Sequence, residues 1–113
     1  MTKIELEQLD EKLKIVGFKP SVYTAILRAL ISQLNANDSQ LETLEYLILS
    51  EIKYWMNNKM KVFICEDGRP SANVYVTFVF IMNTTDQSFY RKTQYEALKD
   101  GLFYALDELI TRP

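Results

Sequence analysis

Acid–base chemistry is the first reading to weigh, because Glu66 and Asp67 stand side by side ahead of Gly68, with Asp86, Glu96 and Asp100 further along the chain. Two carboxyls can divide acid and base work when burial splits their affinities for protons. Next to Gly68 and Pro70 they should instead be wet, and an Asp-Gly pair is explained more simply as turn chemistry. Cys65 is the single thiol, set in an apolar run where burial raises a thiol's pKa and restricts access, so it reads as a small core residue rather than a nucleophile. The chain has no histidine, which removes the usual neutral-pH base and the commonest nitrogen ligand for metals. No glycine-rich phosphate loop, cysteine pair or nucleophile motif is present either. These residues point to a non-enzymatic protein with no catalytic residue, metal ligand set or cofactor.

Contact with phosphates is the second reading. Lys59, Lys61, Arg91 and Lys92 flank an apolar middle segment, and Tyr90 and Tyr54 lie near enough in sequence to stack on bases. Lys59, Lys61, Tyr90, Arg91 and Lys92 are therefore the candidate nucleic-acid contacts. The plainer reading is that they are solvated charges guarding strand ends. Thirteen basic and fifteen acidic side chains leave a formal charge of −2, which exerts no general pull on nucleic acid or anionic lipid. Seven Tyr, six Phe and one Trp would suit a ligand cavity, but such residues more often fill a core.

The elements that must hold these groups follow from periodicity. Residues 1–113 form one domain by length, and 48% hydrophobic with 25% charged residues is the balance of a folded globular chain. Leu6, Leu9, Leu13 and Val16 recur at three- and four-residue steps, predicting a helix from Ile4 to Ile15 closed by Gly17. Val22 to Leu34 carries a wide apolar face, so residues 1–36 read as a helical hairpin. Ser39 and Glu42 have capping-box spacing and begin a long helix whose buried stripe is Leu41, Leu44, Leu47, Ile48, Ile52, Trp55 and Met56, with Asn57 and Asn58 as a left-handed exit.

Met60 to Glu66 alternates as a strand, and Asp67, Gly68 and Pro70 turn the chain into Val74 to Met82. That second strand, VYVTFVFIM, is apolar on both faces: Val74, Val76, Phe78, Phe80 and Met82 on one, Tyr75, Thr77, Val79 and Ile81 on the other. Phe89 to Arg91 is a candidate third strand. Thr93 and Glu96 repeat the capping spacing before a last helix reaching about Ile110, in which Gly101 implies close approach of another element, the sheet.

With these elements placed, three segments carry a family resemblance: SEIKYWMNNKMKVFI (Ser50 to Ile64), VYVTFVFI, and TQYEALKDGLFYALDELI. They resemble small uncharacterised proteins carried by bacteriophages and mobile elements of gut Bacteroidales, over about Leu41 to Ile110. Met56 stands where that family usually has leucine. The resemblance implies an origin and assigns no activity. The order helix, strands, helix is also similar to that of double-stranded RNA-binding domains. Those place lysines at the start of the last helix and carry a Gly-Pro-x-His loop, whereas here Gln94, Tyr95 and Glu96 fill that turn and the loop is missing.

The resulting expectation is an α+β fold. It has an N-terminal helical hairpin (residues 1–36), then helix, antiparallel β-hairpin, Phe89 to Arg91 as either a short third strand or a packed loop, and helix (residues 39–110). A strand apolar on both sides needs cover on both. The helices supply one cover, and a second copy is expected either to supply the other at Tyr75, Thr77, Val79 and Ile81 or to pair strand edges across a twofold axis, making a homodimeric protein-interaction module with an unknown protein partner. A nucleic-acid accessory role is the alternative. The acidic opening MTKIELEQLD and the single cysteine suggest a cytoplasmic protein with no membrane association.

Overall fold

A computed structural model describes residues 1–21, 25, 28–29, 38–82, 84 and 86–111. Through them run α1 (Lys3–Val16), α2 (Asp38–Lys59), β1 (Val62–Arg69), β2 (Val74–Ile81), β3 (Gln87–Arg91) and α3 (Gln94–Thr111), an α+β arrangement. The second arm of the expected hairpin, residues 22–34, falls mostly outside the described residues.

Both ends of α1 are fixed by local chemistry. Thr2 Oγ1 accepts the Glu5 N–H at 3.1 Å while Glu5 Oε1 accepts the Thr2 N–H at 3.0 Å, a reciprocal cap. Gly17 adopts φ 84°, which a side chain would resist, and its N–H reaches the carbonyls of Leu13 and Lys14. The chain then delivers Phe18 edge-on to Trp55 of α2, with ring centroids 5.2 Å apart. Leu9 and Leu13 are buried. Lys12 to Asp107 (2.6 Å) and Lys99 to Glu5 (3.3 Å) tie α1 to α3.

Helix α2 starts at Asp38, and the Ser39 side chain lies outside the described residues. Its buried line is Glu45, Ile48, Leu49, Ile52 and Met56, whereas Leu47, expected inside, is exposed. The steps of three and four that fit the core run through position 45, so position 47 is turned about half a turn away, onto the opposite side of the helix. Glu45 accepts hydrogen bonds from the Tyr95 hydroxyl and, at 2.6 Å, from the Met1 ammonium. Asn57 and Asn58 do not leave the helix in a left-handed turn: α2 runs on through Lys59, and among the described non-glycine residues Asn73 alone has positive φ.

The sheet has the order β1-β2-β3, antiparallel throughout. The third strand forms and is longer than Phe89 to Arg91. Strand β1 begins and ends later than its alternation suggested, running through Asp67 and Gly68 to Arg69. The reversal falls instead on a short 3-10 turn at Pro70–Ala72 with Asn73 in the left-handed region at φ 51°. No described helix is long and apolar enough to cross a membrane.

Helices α2 and α3 pack on one face of the sheet, with Leu98, Leu102, Ala105 and Leu106 fully buried between α3 and the rest. Gly101 permits the approach: a Cβ there would stand 2.6 Å from Thr77 Cγ2. This contact overturns the expected interface. Tyr75, Thr77, Val79 and Ile81, the residues assigned to a second copy, point at the helices, and Thr77 and Val79 have no exposure within one chain.

Candidate functional site

Residues paired across an antiparallel ladder share a face, so the register defines what the helices leave uncovered. That open face carries Phe63, Cys65, Asp67 and Arg69 from β1, Val74, Val76, Phe78 and Phe80 from β2, and Ser88 and Tyr90 from β3. Met82 continues it just beyond β2. Phe63 is 55% exposed, Phe80 38%, Val74 40%, and Met82 and Tyr90 60% each. The rings support one another, with Phe63 6.1 Å from Phe80 and Phe78 stacked 6.4 Å from Phe80. Toward the other end lies a groove of about 420 Å³ lined by Val74, Val76, Phe78 and Tyr90, with Asp67 and Arg69 beside it.

Exposures near one half on side chains of roughly 200 Å² each give on the order of 500 Å² of contiguous apolar surface. That is the upper end of what a monomer ordinarily shows, about 300–600 Å². Among the described residues, Asp67 and Arg69 are the charges that the strands contribute to this face, and both sit at one end of it.

The carboxylate pair does not assemble. Alternation sends Glu66 inward, where it accepts a 2.8 Å hydrogen bond from the Tyr46 hydroxyl and pairs with Lys53. Asp67 faces out and accepts the Gly68 N–H at 2.7 Å. Burial, then donation to Glu66 and the charge of that carboxylate, push the Tyr46 phenol up to about 12. At Tyr95 the same causes, burial first and then Glu45, also raise the phenol's pKa. Cys65, expected within a covered strand, is half-buried on the uncovered face.

The basic set is split rather than gathered. Lys61 lies beside the end of β2, its carbonyl accepting the Met82 N–H at 3.4 Å, and Lys59 precedes it. Arg91 pairs with Tyr75 at the start of β2, with Lys92 next to it. In an antiparallel three-strand meander those are opposite ends, about 23 Å apart at the rise of an extended chain. Arg91 is also committed to Asp100, Nε to Oδ2 at 2.7 Å. Of the five candidates, the fold sets Tyr90 on the open face and Lys61 at its rim beside Met82. In the first turn of α3, Thr93 Oγ1 accepts the Glu96 N–H at 3.1 Å, and Tyr95 is buried, so no lysine clamp stands there.

No family model, curated protein or solved structure matches this chain. The reading of the open face rests on its own geometry.

Two sequence signals mark the uncovered side. The face that a helix approaches closely has Thr77 and Val79 at its centre opposite Gly101, while the bulky Phe78, Phe80 and Met82 occupy the other. Close helix packing favours small and β-branched residues beneath it, so bulk points to the open side.

Proposed function

We propose that this chain is a non-enzymatic protein-interaction module that associates with a second copy of itself through the open face of its sheet. The family resemblance supports an origin in a phage or mobile element. The observation that carries the reading is an aromatic and aliphatic face left uncovered on a strand whose opposite face the chain's own helices already close. A standard stable interface buries about 800 Å² per partner. The apolar patch supplies most of that, and its rim of Arg69, Asp67, Ser88 and Lys61 supplies the polar remainder, as in interfaces with an apolar centre and a polar edge. Two such sheets would stack about 10 Å apart as a sandwich across a twofold axis.

Sedimentation velocity from low micromolar to near-millimolar protein tests this. Wild type is expected to move from monomer to dimer across that range, and Phe63→Glu and Phe80→Glu to remain monomers with unchanged circular dichroism. A wild-type chain that stays monomeric throughout overturns the reading.

A further inference from the structure

Among the described residues no strand pairs with the outer edge of β1 or β3, so the sheet has a second way to associate, by adding strands, and β1 is the edge best suited to it. The N–H and C=O groups that point away from β2 belong to alternate residues. Lys61 bonds to Met82 in the β1–β2 ladder, which leaves Val62, Ile64 and Glu66 facing the free edge. Lysines and other charges are what usually blunt an edge. Here Lys61 precedes the strand and Glu66, Asp67 and Arg69 fall in its second half, but Val62 to Cys65 is an uncharged apolar stretch between them.

At the centre of that stretch the edge is occupied by a side chain. Asn57 Oδ1 accepts the Ile64 N–H at 2.7 Å, and Asn57 Nδ2 donates to the Ile64 carbonyl at 3.0 Å. One carboxamide thus presents the donor and the acceptor that a neighbouring strand would present to Ile64. On the opposite edge, Arg91 Nη1 donates to the Tyr90 carbonyl at 2.7 Å.

We propose that Asn57 is a gate on the β1 edge. Its carboxamide holds the place in which β1 of a second copy would pair antiparallel across a twofold axis, and removing it admits an edge-to-edge mode that the wild-type chain lacks. That wild-type copies meet by the face alone rests on the self-association proposed above; the gate itself does not, and it is read where the face is blocked.

The experiment uses the full chain with Phe80→Glu, alone and combined with Asn57→Ala or Asn57→Ser, both too short to reach the Ile64 backbone. In dilute solution the Ile64 amide should exchange about tenfold faster or more once its acceptor is gone, while Phe63 and Cys65, bonded to β2, keep their protection. On concentration the double variants should sediment as dimers where Phe80→Glu alone is a monomer. Double variants that stay folded and monomeric overturn the gate, as does unchanged exchange at Ile64. Loss of the fold in both double variants overturns it too, making Asn57 a tether that holds β1 rather than a gate. A monomeric wild type beside dimeric double variants would sink the face reading and leave the gate standing.

Discussion

Thr77 shows how much one side chain at the helix–sheet contact decides. Its hydroxyl is fully buried, and Oγ1 has no hydrogen-bond partner among the described residues. A buried polar group without a partner costs about 1–3 kcal/mol, so the near-isosteric Thr77→Val is expected to stabilise the chain by about 1 kcal/mol, seen as a higher urea midpoint. A lower midpoint would mean the hydroxyl has a bonded role. Tyr46 gives a pH signature. Its folded pKa of about 12 lies above the ordinary value of 10.0, so its contribution is complete below about pH 10 and is lost as pH rises toward 12. The stability difference between wild type and Tyr46→Phe should therefore shrink over that window; a constant difference would contradict the burial of the Tyr46 hydroxyl against Glu66. Neither effect was legible in the sequence, because both depend on which groups meet across elements distant in the chain.

Among the elements, the helices were the most readable. Leu9 and Leu13, Ile48, Ile52 and Met56, and Leu98, Leu102 and Leu106 keep the period their spacing implied, and Gly17 stops α1 as its conformational freedom suggested. The third strand and the meeting of Gly101 with the sheet were legible too. Which face of β2 the helices would choose was not legible from periodicity, which has no sign where both faces are apolar; the contrast of Thr77 and Val79 with Phe78, Phe80 and Met82 was the signal that remained. Nor could a linear list of lysines reveal that Lys59 and Lys61 would lie at one end of the sheet and Arg91 and Lys92 at the other. Gly101→Ala tests the contact that settles the face. Propensity favours alanine by about 1 kcal/mol, but overpacking against Thr77 opposes it by about 1–3 kcal/mol. A net loss of stability by urea unfolding is expected, and Thr77→Ser in the same chain should recover part of it by removing Cγ2. A stabilised Gly101→Ala would mean α3 lies further from the sheet.

At the scale of the whole molecule, α2 and α3 cover one side of a three-stranded sheet, α1 packs on α3, and among the described residues the other side is aromatic, nearly uncharged and largely exposed. Fold and candidate site are joined there, because the strand that needs cover on both sides receives one cover from its own chain. Cys65, in the middle of β1 and opposite Phe78, is a reporter already built into that face. The most direct measurement is the alkylation rate of the Cys65 thiol as a function of protein concentration, compared with Phe80→Glu. The wild-type rate is expected to fall as concentration rises through the range in which dimers form, and the Phe80→Glu rate to stay constant. A wild-type rate independent of concentration would contradict burial of this face in self-association.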